Sequence, residues 1–148
     1  MHADGSPRGA PVVTTLLVSC VDGRLRETLH ELEMRIGSEN GDRLLIPGGP
    51  LMLTDSTPEH DHVLGWVETI VRGHGVRSVY LVAHQHCLAY ERKLGGFFYD
   101  EREVIERDLR AVQRRLGDRL FSTQVECFLV PWHEEDAGGD FGLAEAID

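Results

Sequence analysis

The chain has 148 residues, enough for one domain with a single core, and 41% hydrophobic and 27% charged residues are typical of a globular protein. Its net charge of −10 argues against nucleic acid and anionic lipid as partners, because both are negatively charged. No apolar run approaches the ~20 residues of a membrane helix. The polar residues 1–11 contain no apolar signal-peptide core, so we expect a mobile N-terminal tail and a cytoplasmic protein.

The first half of the chain alternates apolar strands with amphipathic helices. The continuous β-branched run Val12–Ser19 predicts a buried strand, and leucines at helical spacing predict a helix over Arg24–Ile36. Arg43–Ile46 predicts a second short strand. The next helix is predicted to begin at Thr57, whose hydroxyl can cap it, and to close near Gly73.

The second half continues the same alternation. We predict a third buried strand at Ser78–Ala83, a helix from about Glu101 to Leu116 and a fourth strand at Gln124–Val130. The acidic residues from about 134 to 148 are predicted to be a mobile tail. This order of elements predicts a single α/β domain with an open, mostly parallel sheet of about four strands in the order 2-1-3-4, flanked by helices.

Residues with metal-binding and charged side chains follow two of the predicted strands directly. Cys20, Asp22 and Arg24 come after the first strand, and His84 and Cys87 come after the third. In open α/β sheets, sites form at the carboxyl ends of strands where neighbouring connections diverge to opposite faces. If the first and third strands are neighbours, both groups of residues therefore meet at one point.

Two thiolates and one imidazole are a ligand set that suits Zn²⁺. An odd number of cysteines in an expected reducing compartment makes a disulfide framework improbable, so metal binding is the better interpretation. We therefore expect Cys20, His84 and Cys87 to bind one zinc ion. Three protein ligands leave the fourth tetrahedral position open, which is the catalytic pattern, and Cys127 inside the fourth strand is predicted to be a core residue.

Asp22 and Arg24 are predicted to act together beside the metal ligands. An arginine two residues away can hold a carboxylate through paired, charge-assisted hydrogen bonds. That interaction would decide whether Asp22 fills the fourth metal position or accepts a proton from a metal-bound water. The sequence leaves both arrangements open.

Cys-x-Asp-x-Arg after one strand, followed by His-x-x-Cys after another, resembles the β-class carbonic anhydrase family. The resemblance extends from about residue 12 to residue 87, together with the helix and strand that follow. It implies a lyase (carbonate dehydratase) that hydrates carbon dioxide to bicarbonate by a zinc-bound hydroxide. It also implies metal ligands at Cys20, His84 and Cys87, catalytic roles for Asp22 and Arg24, and a homodimer or higher homo-oligomer.

The chain departs from the family pattern around the substrate. Ala83 and Leu88 flank the second motif, where the family usually has glycine, and Pro47-Gly48-Gly49-Pro50 follows the second strand in place of an Arg-Asn-Ala-Gly-like loop. These changes leave the metal ligands intact. They bear on which small molecule the site accepts.

Three alternatives follow from the same residues. One is a hydrolase of carbonyl sulfide or carbon disulfide, with an apolar pocket wall from Leu51, Leu53 or Leu88. Another is a non-catalytic zinc-binding relative in which Asp22 permanently occupies the metal. The third is a cysteine-phosphatase loop, since Cys20 to Arg26 fits Cys-x5-Arg; a carboxylate inside that loop would repel phosphate, so we prefer zinc.

Overall fold

The computed structural model describes residues 13–95, 100–135 and 138–148, and its strands and helices follow the alternation predicted from the sequence. The strands are β1 Thr15–Cys20, β2 Asp42–Ile46, β3 Ser78–His84, β4 Gln124–Val130, β5 Trp132–Glu135, β6 Gly138–Phe141 and β7 Glu145–Ile147. The helices are α1 Arg26–Ile36, α2 Pro58–His74, α3 Leu88–Leu94 and α4 Glu101–Arg119, with short 3-10 turns at Gly23–Leu25 and Gly49–Leu53.

The main sheet has the order β2-β1-β3-β4-β7, in which the first four strands are parallel and β7 is antiparallel to β4. This confirms the α/β class and the predicted 2-1-3-4 order. Strand β1 lies between two neighbours, which explains its continuous apolar sequence, since both faces of such a strand are covered. Its residues Leu16, Leu17 and Val18 are buried in the core.

The helix ends follow the local signals in the sequence. The Thr57 hydroxyl accepts a hydrogen bond from the His60 amide at 3.1 Å, so the predicted cap of α2 is confirmed. Gly75 ends this helix in the left-handed conformation. Helix α4 runs to Arg119, three residues beyond the predicted end at Leu116. The short helix α3 was not predicted, because its seven residues are too few for a helical repeat to be recognised.

The segment after Pro131 differs from the mobile tail that the sequence predicts. Strands β5 and β6 pair with each other, and β7 adds to the edge of the main sheet through Cys127 opposite Ile147. Ala144, just before β7, is buried, and its carbonyl accepts a 2.7 Å hydrogen bond from the Arg35 side chain. These short acidic strands owe their stability to distant partners, which a local hydrophobic pattern does not reveal.

Two parts of the sequence interpretation lie outside the described residues: the N-terminal tail at 1–11, and Val12 at the start of the predicted first strand. Among the residues that the structure describes, no helix combines the length and apolar character needed to cross a bilayer.

Candidate metal centre

Three buried side chains converge where β1 and β3 end. Cys20 is the last residue of β1, His84 is the last of β3, and Cys87 immediately precedes α3. Their donor atoms lie within 4.8 Å of one another. A tetrahedral zinc ion with sulfur at ~2.3 Å and nitrogen at ~2.0–2.1 Å separates its ligands by about 3.5–3.8 Å. The cluster could therefore hold such an ion with small side-chain adjustments.

The imidazole of His84 is oriented as a metal ligand would be. Its Nδ1 lies 2.6 Å from the Gln85 carbonyl oxygen, and because that oxygen can only accept, Nδ1 must carry the proton. The lone pair is then on Nε2, which is buried and has no hydrogen-bond partner among the described residues. Leaving such an atom unsatisfied costs about 1–3 kcal/mol. A cation between His84 and the two sulfurs would remove this cost.

The pKa values of the two cysteine thiols move in opposite directions. The Cys87 thiol donates to Cys20, which lowers the pKa of Cys20 to about 4 and raises the pKa of Cys87 well above its usual range. The Gly48 amide, 3.4 Å from the Cys20 sulfur, also supports the thiolate. These pKa directions favour the thiolate at Cys20 and the thiol at Cys87, and binding of a divalent cation would displace the proton of Cys87.

The turn after β2 packs its backbone directly against Cys20. Gly49 has a φ of +53°, and a β-carbon there would lie 2.7 Å from both the Cys20 nitrogen and the Ser19 carbonyl carbon. Neither backbone atom can move without shifting β1. The glycine pair at 48–49, which the sequence assigns to a turn, therefore also allows this close approach to the site.

We expect Gly49→Ala to lower the free energy of unfolding by about 2–4 kcal/mol, since it adds a backbone clash to the cost of positive φ. Gly37→Ala is the matched control, because Gly37 also has positive φ (+73°) but open space around it. That variant should lose only about 1 kcal/mol. Urea unfolding of the metal-free proteins measures both, and equal losses would contradict the close-approach explanation.

Asp22 and Arg24 form the ion pair that their spacing predicts. The Asp22 carboxylate accepts from the Arg24 backbone amide at 2.9 Å, from Nε at 3.1 Å and from Nη2 at 2.6 Å. These hydrogen bonds from Arg24 hold the pKa of Asp22 below its usual range. The carboxylate is therefore engaged by the guanidinium, and it is not among the clustered donor atoms.

A buried polar network holds the helix that follows Cys87. Tyr90 donates to Asp108 on α4 at 3.1 Å, and Lys93 donates to the same carboxylate oxygen at 2.7 Å. Burial raises the pKa of the Tyr90 hydroxyl, with the charge of Asp108 adding to the effect, so the hydroxyl remains a donor. The network fixes α3 against α4 and so fixes Cys87. No local pattern indicates this network, because Tyr90 and Asp108 look like ordinary helix residues in the sequence.

An open groove of about 910 Å³ leads to Cys20 and Asp22. Leu51 and Leu88 contribute to its wall, as the heteroallene alternative requires. Leu53 does not, because it is fully buried in the core. The groove thus presents a mainly aliphatic surface next to the ion pair and one of the sulfurs.

Two aromatic residues that the sequence did not assign to the site lie over Arg24. The ring centroids of Trp132 and Phe141 are 5.7 and 5.2 Å from the guanidinium carbon. One available signal was the position of Trp132 just after the fourth strand, at the same edge of the sheet as the two motifs. The structure thus brings Cys20, Asp22, Arg24, His84 and Cys87 together, while their roles in binding and catalysis stay predictions.

Comparison with known proteins finds limited sequence similarity. No protein-family model matches the chain. An uncharacterised protein from Rickettsia bellii is 29% identical over 82 residues, which cover 53% of this chain and 50% of that protein. Uncharacterized protein RC0076 from Rickettsia conorii is 29% identical over 85 residues, covering 55% of this chain and 46% of its own length. The chain spans about half the length of the curated relatives it matches.

Solved structures give a fuller match. A carbonic anhydrase from Streptococcus mutans superposes with a TM-score of 0.56 at 16% identity, over 97% of this chain and 88% of that chain. One of two tetrameric β-carbonic anhydrases from Sordaria macrospora gives 0.52 at 13% identity, over 83% and 78%. The chain has the β-carbonic anhydrase fold. At these identities the likeness shows the fold alone.

Proposed function

We propose that the chain binds one zinc ion through Cys20, His84 and Cys87 and hydrates carbon dioxide to bicarbonate. The observation that carries the proposal is the buried cluster of two sulfurs and an unpartnered imidazole nitrogen, placed at the switch point of a sheet with this fold. Bound zinc supplies Lewis acidity, which makes hydroxide available near neutral pH.

The protein's own part in this reaction is orientation. The Gln85 carbonyl fixes the His84 tautomer, so that Nε2 faces the cluster. Arg24 keeps Asp22 ionised at neutral pH and paired away from the donor cluster. An ionised carboxylate next to Cys20 is a permanent hydrogen-bond acceptor, so it can hold an attacking water in one orientation.

The aliphatic groove supports a small apolar substrate and also a second candidate activity. Leu51 and Leu88 line the approach to Cys20, and a linear molecule without hydrogen-bonding hydrogens would lose little by leaving water there. Carbonyl sulfide and carbon disulfide share this character with carbon dioxide. Hydrolysis of such heteroallenes is therefore the second candidate, which turnover of the three substrates side by side would distinguish.

We propose that this chain associates with further copies of itself in a reducing compartment. A structural neighbour is described as tetrameric, and Val21 and Leu88 at the groove are largely exposed apolar residues that a second copy could cover. We therefore propose a homodimer or higher homo-oligomer. We also propose the cytoplasm as the location, because both thiols must stay reduced to bind metal.

The decisive experiment combines metal analysis with stopped-flow hydration of carbon dioxide between about pH 7 and 9. We expect one zinc per chain, and hydration that a chelator removes and added zinc restores. Absence of hydration at confirmed full zinc loading would reject the proposal. Turnover of carbonyl sulfide or carbon disulfide in that same sample would then favour the second candidate, and no turnover at all would leave a non-catalytic zinc-binding protein.

A further inference from the structure

The paired strands β5 and β6, here called the β5–β6 ribbon, fold back over the edge of the sheet that carries the site. Trp132 lies opposite Phe141 in this ribbon, with ring centroids 5.0 Å apart and nearly perpendicular planes. The indole packs across Gly139, where a β-carbon would lie 2.5 Å from the ring. The absence of a side chain at Gly139 in β6 thus leaves the space that the Trp132 indole occupies.

Both rings of the ribbon contact the guanidinium of Arg24. The centroid distances of 5.7 and 5.2 Å fall within the ~6 Å range of cation–π attraction. The same guanidinium donates from Nη2 to the His86 carbonyl oxygen at 3.1 Å and holds the Asp22 carboxylate. Arg24 is therefore fixed by a carboxylate, a backbone carbonyl and two aromatic rings, although its side chain is 53% exposed.

The ribbon also contacts all three residues from 84 to 86. The Trp132 amide donates to the Gln85 side-chain oxygen at 2.8 Å, and the His86 ring stacks on the indole at 4.5 Å. Phe141 meets the His84 ring edge-on at 5.3 Å. Among the residues the structure describes, His86 is the one non-glycine residue with positive φ (55°), a conformation that persists only where neighbouring contacts support it.

We propose that the β5–β6 ribbon is a positioning element that holds Arg24, and through Arg24 the Asp22 carboxylate, in the arrangement the reaction needs. The catalytic part of this inference rests on the proposed function. Without the rings, an arginine with one half of its side chain in solvent samples several rotamers. Asp22 would then leave Arg24 more often and compete with water for the metal.

The first test needs neither metal nor activity. NMR of the metal-free protein detects the Arg24 Nε–H signal, assigned by its loss in Arg24→Lys, and the two rings should shift it through their ring currents. Trp132→Ala should move this signal toward its position in a free arginine, while Trp132→Phe should keep part of the shift. Trp66→Ala is the matched control, since Trp66 is a half-exposed tryptophan on α2 outside the site. Its effect on the signal should be nil.

The second test measures hydration by the zinc-loaded variants. We expect Trp132→Ala to lower kcat about tenfold while KM and zinc content stay unchanged. Mutating residues that orient the ligands of a metal site typically lowers activity by about 10–100-fold. Trp132→Phe should recover most of that loss. Phe141→Leu keeps an apolar side chain in the ribbon but removes one ring, so it should give a smaller loss of kcat even if Trp132→Ala unfolds locally.

The outcomes separate this inference from the proposed function. If wild-type protein does not hydrate carbon dioxide, the proposed function fails while the NMR signal still tests whether the two rings of the ribbon contact Arg24. An Arg24 signal that is the same in wild type, Trp132→Ala and Phe141→Leu overturns the inference. So does a loss of kcat that is equal in Trp132→Ala and Trp66→Ala, since it would reflect general destabilisation.

Discussion

Replacing His84 with alanine is expected to weaken zinc binding by about two to three orders of magnitude. Structural zinc sites bind with about 10–16 kcal/mol shared among four ligands, so one ligand accounts for about 2.5–4 kcal/mol, and about 1.4 kcal/mol corresponds to a factor of ten. His84 offers a buried nitrogen that has no other described partner. Competition with a chromophoric chelator measures the affinity, and zinc should raise the melting temperature of the wild type far more than that of the variant.

His86→Ala is the matched control for this experiment. His86 lies two residues further on, but its ring stacks on Trp132 and faces Glu134 across 3.7 Å. Its removal should change zinc affinity by no more than a few-fold. Similar affinities in the wild type and in His84→Ala, or a larger loss in His86→Ala, would show that the metal is held elsewhere.

Asp22→Asn should lower the kcat for carbon dioxide hydration by about a hundredfold while zinc content stays at the wild-type level. Asparagine keeps the shape of the side chain, but it loses the charge that Arg24 holds and presents a donor where an acceptor is needed. Stopped-flow hydration and metal analysis of the same samples separate the two effects. Asp118→Asn, which changes an exposed aspartate on α4, should leave both unchanged.

Two results would contradict this role for Asp22. Loss of zinc together with activity would mean that Asp22 is a metal ligand, as the non-catalytic alternative requires. Unchanged activity would mean that the ion pair with Arg24 only stabilises the local turn. Partly exposed ion pairs of this kind contribute about 0–1 kcal/mol to stability. Arg24→Lys adds a second check. Lysine keeps the positive charge but loses the paired hydrogen bonds to the Asp22 carboxylate, so an intermediate loss of kcat is expected.

The parallel strands and the clustered donors could be predicted because their signals are local. Continuous apolar runs mark strands covered on both faces, and residues that end two such strands must share one edge of the sheet once the strands are neighbours. Cys20 and His84 meet for this reason, although 63 residues separate them in the chain. Cys87 closely follows His84 in the chain, so the same reasoning predicts that Cys87 lies near the cluster.

The surroundings of the cluster could not be predicted in the same way. Strands β5 to β7 are short, acidic or glycine-rich, and they are held by contacts such as Trp132 with Gln85 and Arg35 with Ala144. The pairing of Asp22 with Arg24 was one of two arrangements compatible with the sequence. Of the three leucines that the sequence left open for the pocket wall, Leu53 lies fully in the core, because the 3-10 turn at Gly49–Leu53 directs it inward.

Strand β7 has a consequence for how this protein behaves at high concentration. It is antiparallel to β4 along residues 127–129, which belong to the most apolar part of that strand. An uncovered strand of this kind offers a row of free backbone donors and acceptors to other chains and promotes intermolecular sheet growth. Strand β7 covers the backbone of β4 at residues 127–129. Removing β7 would expose the free donors and acceptors of β4, so we expect it to promote aggregation.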